Sequence, residues 1–169
     1  MNLVIPERSL VLLMGASGAG KSTFARKHFR ASEVLSSDYC RYLVSDDENN
    51  QAATNDAFEV LRFIAAKRLA GGKLTVVDAT NVQPRARKPL LALAVQYQAS
   101  PVVIVLNVPA VTCLDRNRIR MDRTLNPQVI ENQWQELQRS IECLGPEGFH
   151  PVYVLDTAEQ IDAAVVVRV

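Results

Sequence analysis

Apolar and polar positions alternate along this chain in blocks rather than residue by residue. Residues 9–14 (SLVLLM), 74–79 (LTVVDA), 101–108 (PVVIVLNV) and 151–155 (PVYVL) are apolar almost throughout, and 33–36 (EVLS) is a shorter run of the same kind. Such runs predict strands covered on both faces. Helical spacing lies between them. Residues 51–70 set Ala57, Val60, Leu61, Ile64 and Ala65 on one face and stop at Gly71-Gly72. Pro84 suits the first turn of a helix to about residue 97, and further helices are expected over 22–29 and 128–144. In the last of these, Trp134, Leu137, Ile141 and Leu144 read as core. Five buried strands separated by helices predict one α/β domain over residues 1–169, with a central parallel sheet flanked by helices. The ligand crevice of such a sheet lies at the carboxyl ends of its strands. Polar clusters fall there, at residues 15–23, 36–41, 78–81 and 107–123.

The first cluster, GASGAGKS at 15–22, satisfies the G-x-x-x-x-G-K-[ST] phosphate loop directly after a strand and opening a helix. Glycines let backbone N–H groups curl around phosphate oxygens, and the helix start adds unpaired donors. Gly15, Ser17, Gly18, Ala19, Gly20, Lys21, Ser22 and Thr23 are therefore expected to hold ATP or another NTP. Lys21 would reach the β/γ-phosphates, Ser22 would ligate Mg²⁺ or Mn²⁺, and Thr23 would touch the α-phosphate. In the second cluster, Asp38 stands at the sheet mouth as a general base for an attacking hydroxyl, with Arg41 three residues on. If the chain turns helically there, the two share one face, and Arg41 can hold a phosphate of the acceptor. Asp78 ends the third buried run, where an acid can join the metal shell, and Thr80, Asn81, Arg85 and Arg87 follow as lining of an acceptor groove.

The fourth cluster holds Arg116, Arg118, Arg120 and Arg123 in eight residues. Arg116 and Arg120 are i,i+4 neighbours, with Arg123 near the same face, which suits a phosphate-clamping lid over about 114–126. Composition changes this picture little. Net charge is +1, which argues for no particular partner. The charge is nevertheless divided, with 17 basic and 11 acidic residues before position 124 and 2 basic and 7 acidic after it. The acidic part is expected to lie away from the phosphate site. Fourteen of the 19 basic residues are Arg, which favours forked recognition of phosphate. Three dispersed cysteines and two histidines argue against a zinc site and for a reducing, cytoplasmic setting. No apolar run approaches the ~20 residues needed to span a membrane.

Together, GASGAGKST, SSDYCR, VVDATN and DRNRIRMDR resemble the 5′-OH polynucleotide kinase domain of bacterial polynucleotide kinase–phosphatase, an RNA-repair enzyme, over nearly the whole chain. The resemblance implies a P-loop kinase fold with an Arg-bearing lid. It implies transfer of the NTP γ-phosphate to a 5′-OH end of RNA or DNA. It makes Asp38 the base, Arg41 the holder of the acceptor strand, and Lys21, Arg116 and Arg120 the stabilisers of transferring charge. It also implies phosphatase and ligase modules in the parent protein, which this sequence does not encode. Two other readings stand beside it. One is a P-loop kinase of small metabolites, of nucleoside or gluconate type; the other is a nucleotide-gated binding module without transfer chemistry.

Overall fold

The computed structural model describes residues 1–121 and 124–169. Seven strands and eight α-helices alternate along them. In order they are β1 (Asn2–Ile5), β2 (Ser9–Met14), α1 (Lys21–His28), β3 (Val34–Ser36), α2 (Ser37–Ser45), α3 (Thr54–Ala70), β4 (Thr75–Asp78) and α4 (Pro84–Gln96). Then come β5 (Ser100–Leu106), α5 (Ala110–Ile119), α6 (Pro127–Ile141), the single-turn α7 (Leu144–Glu147), β6 (Val152–Leu155), α8 (Ala158–Ala163) and β7 (Val165–Arg168). Five strands form the expected parallel sheet in the order β3-β4-β2-β5-β6.

The central strand explains why the runs are apolar throughout. Successive β2 side chains point to opposite faces. Leu10, Leu12 and Met14 join a core with Leu61, Leu69, Leu90 and Leu137 from α3, α4 and α6. Val11 and Leu13 join a second core with Phe24, Ile104, Cys113 and Ile130, reached by α1, α5 and α6. Both faces are dry, so polar alternation has no place in the sequence. Of the helix-128–144 core residues, Leu137 and Leu144 are fully buried, whereas Trp134 and Ile141 pack at the margins.

Local chemistry sets the helix ends nearest the crevice. The Ser36 hydroxyl accepts from Tyr39 N–H at 3.2 Å and starts α2. Asn126 accepts from Gln128 N–H at 2.9 Å, and Pro127 occupies the first position of α6. One feature departs from the expected fold. A second, two-stranded parallel sheet pairs β1 with β7, Asn2 opposite Val165 through Ile5 opposite Arg168. Leu3 and Ile5 are fully buried beneath it and extend the second core.

Candidate active site

The carboxyl ends of β2, β3 and β4 open into one cleft of about 1740 Å³. That exceeds the ~300–1,000 Å³ of ordinary single-ligand pockets and leaves room for two substrates side by side. Ser17, Gly18, Ala19, Gly20, Lys21, Ser22 and Thr23 line it from the β2–α1 turn. Asp38 and Arg41 face it from α2. Asp78, Thr80, Asn81 and Arg85 line it at and beyond the end of β4, Arg116 from α5, and Arg120 from just after that helix.

The β2–α1 turn is built by close approach. A Cβ on Gly15 would stand 2.8 Å from the Leu106 carbonyl, so Gly15 lies behind the loop against β5 and not on the cleft surface. Gly18 has φ +87°, and a Cβ there would meet the Cys113 carbonyl at 2.7 Å. The loop therefore rests on α5, and glycine at 18 is what permits that contact. Arg116 Nη1 donates to the Gly18 and Ala19 carbonyls at 3.1 and 3.3 Å, which sets its guanidinium on the rim of the loop.

Lys21 is buried, and its ammonium donates to the Gly15 and Ala16 carbonyls at 2.8 and 2.9 Å. Burial pushes its pKa below the usual lysine value. The negative charges of Asp78 and Asp38 pull it back up, and the Arg120 charge pushes it further down. Those couplings bring Asp38, Asp78 and Arg120, from three separate segments, within electrostatic reach of one ammonium. Burial likewise pushes the Cys113 thiol up, against the pull of Lys21 and Arg116.

Helix α2 delivers the expected i,i+3 pair. Arg41 Nη1 donates to Asp38 Oδ1 in a short ion pair. Arg41 is buried, and also donates to Thr54 Oγ1 at 3.3 Å and the Glu48 carbonyl at 3.2 Å. The guanidinium is thus anchored on protein, while the Asp38 side chain keeps 42% exposure toward the cleft. Tyr39 and Tyr42 flank the pair, exposed and stacked with ring centroids 6.2 Å apart.

Several expectations need correction. Arg87 does not line an acceptor groove. It is wholly buried, donates through Nε to Glu147 at 2.8 Å and through Nη1 to the Asn81 carbonyl at 2.8 Å, and holds α4 to α7. Asn81 borders the cleft but turns its amide inward, Nδ2 donating to the Leu13 carbonyl at 2.7 Å. Its φ of +52° is the left-handed turn that brings the β4 loop back beneath the phosphate loop. The expected Arg116–Arg120 helical face is also shortened. Helix α5 ends at Ile119, and Arg120 is already extended. Arg123 lies outside the described residues. Nor is the acidic part of the chain remote, since Glu136 and Asp162 both border the cleft.

Sequence reading missed Gln83, Gln133 and Glu136. Gln83 Nε2 donates to both Glu136 oxygens, at 2.8 and 3.0 Å, and Gln133 Oε1 accepts from Ser17 N–H at 2.9 Å. The available signal was the i,i+3 polar pair 133/136 beside the apolar positions Ile130, Trp134 and Leu137.

The donor set fits a hydrated divalent cation. Ser22 and Asp78 offer hard oxygens in the same cleft, and the buried Asn81 Oδ1 has no partner among the described residues, as an acceptor for an ordered water would. No group of three or more His, Cys, Asp or Glu side chains that could hold a metal occurs among them. The protein would therefore supply few ligands directly, as is usual for Mg²⁺ on a nucleotide.

A family model described as an AAA domain matches residues 10–144. The chain belongs to the AAA-domain family. The match in this AAA-domain chain runs from β2 through the start of α7, and so spans every cleft segment except α8. No curated protein shows a significant sequence match. Among solved structures, a chain of the Pnkp1/Rnl/Hen1 RNA repair complex superimposes with TM-score 0.67 at 23% identity, over 83% of this chain and 46% of that one. This AAA-domain chain thus spans less than half the length of that relative. Kti12 from Chaetomium thermophilum, in complex with ADP-AlF3, aligns with TM-score 0.66 at 15% identity over 90% of this chain and 93% of its own. A gluconokinase from Sinorhizobium meliloti aligns with TM-score 0.56 at 16% identity over 93% and 87%. What is shared at these identities is the α/β P-loop kinase fold. Among the described residues, no helix is long and apolar enough to cross a membrane.

Proposed function

We propose that this chain is an NTP-dependent polynucleotide 5′-hydroxyl kinase, transferring the γ-phosphate of ATP or another NTP to a 5′-OH end of RNA or DNA. The observation that carries the reading is the Asp38–Arg41 pair, held by α2 beside a stacked pair of exposed tyrosines in the cleft that also contains Lys21. A small sugar needs no aromatic platform beside the base, whereas a terminal nucleoside presents a ring to stack. The RNA-repair setting rests on the motif resemblance and on the repair complex among the fold's relatives.

The reaction follows from the residues. Asp38 Oδ accepts the proton of the 5′-OH as that oxygen attacks the γ-phosphorus. The O–Pγ bond forms as the bond from Pγ to the β-bridging oxygen breaks, leaving a 5′-phosphate and NDP. Arg41 holds the Asp38 carboxylate in place. Lys21, Arg116 and Arg120 meet the charge on the transferring group and the departing diphosphate. Ser22 and Asp78 would hold Mg²⁺, which supplies charge neutralisation at the phosphate oxygens when bound.

The test is transfer of labelled γ-phosphate to a 5′-OH oligonucleotide with Mg²⁺. Phosphorylation of the oligonucleotide is expected; its absence with intact, nucleotide-binding protein overturns the reading. Transfer to a mononucleoside or to gluconate but not to an oligonucleotide would instead identify a small-metabolite kinase. Asp38→Ala is expected to bind NTP as the parent does and to lose about 10²–10⁴-fold in transfer rate. Loss of NTP binding would remove the base assignment.

A further inference from the structure

Gln133 belongs to none of the phosphate-site motifs, yet it is in hydrogen-bond contact with the phosphate loop. It projects from α6 into the cleft, and its Oε1 accepts from Ser17 N–H at 2.9 Å. Only the oxygen of a carboxamide can meet an N–H, so this contact fixes which way the amide faces. The Nε2 group, with two donors, is turned away from Ser17, and no acceptor among the described residues engages it.

Lys21 indicates what lies next to that group. A phosphate-loop lysine reaches the β/γ end of the triphosphate. Here its ammonium sits 2.8 and 2.9 Å from the carbonyls of Gly15 and Ala16, the two residues before Ser17. The terminal-phosphate end of the nucleotide therefore lies beside residues 15–17, on the side where Gln133 stands. The helix that carries Gln133 is rigidly seated. The next residue, Trp134, donates through its indole to the Val108 carbonyl at 3.2 Å, Leu137 is fully buried, and Glu136 is gripped by Gln83. A neutral donor presented from such a helix needs little reorganisation to meet an anion.

We propose that Gln133 reads the γ-phosphate: Oε1 fixes the loop at Ser17 while Nε2 donates to a γ-oxygen, so that the chain distinguishes a nucleoside triphosphate from a diphosphate. This rests on the reading of the cleft as an NTP site, but not on the identity of the acceptor. It also gives α6, which follows the lid, a direct part in sensing whether the donor is loaded.

The test compares Mg²⁺–ADP with a non-hydrolysable Mg²⁺–ATP analogue by titration calorimetry. Gln133→Glu keeps an acceptor for Ser17 N–H but replaces the donor with a negative charge. Gln133→Met keeps the bulk and loses both hydrogen bonds. For Gln133→Glu, the analogue is expected to bind at least about tenfold more weakly, with ADP changed by less than about threefold, the scale of a lost hydrogen bond to a charged group. Gln133→Met should weaken the analogue selectively but by less, since it adds no repulsion. Equal weakening of both nucleotides would mean that Gln133 only shapes the loop, and no weakening of either would mean that it touches neither; both results overturn the proposal. If the parent chain binds neither nucleotide, the NTP reading falls with it. If it binds both with the expected selectivity but phosphorylates no 5′-OH end, only the acceptor assignment falls.

Discussion

Lys21 is held in a cleft that disfavours its charge. Burial lowers its pKa, and Asp78 is the strongest of the groups that restore it. With the folded value below the unfolded one, the folded chain binds fewer protons between the two. Its contribution to stability is full above the unfolded pKa and is lost as pH falls through the folded one. A bound triphosphate reverses the preference by supplying negative charge, so nucleotide affinity should fall as pH rises through the lowered Lys21 pKa. Asp78→Asn removes the leading opposing pull and should move that loss of affinity to lower pH. The measurement is the ADP dissociation constant against pH in magnesium-free buffer, where the proposed metal role of Asp78 does not enter. Superimposable profiles would contradict it. Arg87 makes a different prediction at the same scale. Arg87→Ala strands the Glu147 carboxylate and frees the Asn81 carbonyl, and should cost about 3 kcal/mol in urea unfolding. The contrast between these two residues marks what the sequence can disclose. Lys21 is legible because its partners are the backbone of its own loop, fixed by spacing. Arg87 looked like a cleft residue because its decisive partner, Glu147, is 60 positions away and leaves no local trace.

Among elements, the five sheet strands and helices α1, α3 and α4 were readable from their apolar spacing, whereas the helix expected over 128–144 stops at Ile141 and Leu144 opens the separate turn α7. Nor was the end of α5 readable. Helical spacing continues through Arg120, but the Asn117 amide intervenes. Its Nδ2 donates to the Leu125 carbonyl and its Oδ1 accepts from Leu125 N–H, both at 2.9 Å. Those two bonds tie Leu125 to the last turn of α5, which stops at Ile119 with Arg120 extended. Asn117→Ala should free that clamp and raise KM for NTP several-fold, while the melting temperature moves by only a few degrees, as for one or two lost hydrogen bonds. Steady-state kinetics at varied NTP, beside a thermal melt, checks both halves. An unchanged KM would mean that the lid closes without the clamp. The second sheet escaped notice for a related reason. NLVI and VVVR are each four residues long, and each is a strand through pairing with the other some 160 residues away.

At the scale of the whole molecule, near-neutral charge goes with a cleft of mixed sign. Basic side chains face it from α1, α2, α3, α4 and residues 116–120, and carboxylates line it both from the earlier segments (Asp38, Glu48, Glu59, Asp78) and from later helices (Glu136, Asp162). With the nucleic-acid end proposed above as acceptor, the salt dependence of its KM should be shallow compared with that of a duplex-coating protein. Arg168 and Glu33 form a long-range tie. The fork donates to both carboxylate oxygens, at 2.8 and 2.7 Å, and joins β7 to the approach to β3. Burial pushes the Glu33 carboxyl up, but the Arg168 fork and the Arg30 N–H outweigh it and hold the pKa below the usual value. A carboxylate so lowered adds stability that is complete above its unfolded pKa and disappears as pH falls through the folded one. Arg168→Met should therefore cost about 2 kcal/mol at neutral pH, and the deficit should shrink as pH falls below the ordinary carboxylate range. Urea unfolding at neutral and acid pH measures the difference. A deficit independent of pH would assign the loss to packing alone.

The pairing of β1 with β7 also sets an order of events during synthesis on the ribosome. Leu3 and Ile5 are made some 160 residues before the strand that pairs with theirs. The five-stranded sheet can assemble as soon as β6 is available. The nascent chain must carry an uncovered apolar edge until Val165–Arg168 leave the exit tunnel, and that interval is when it is most exposed to chaperone capture or to pairing with a neighbouring copy.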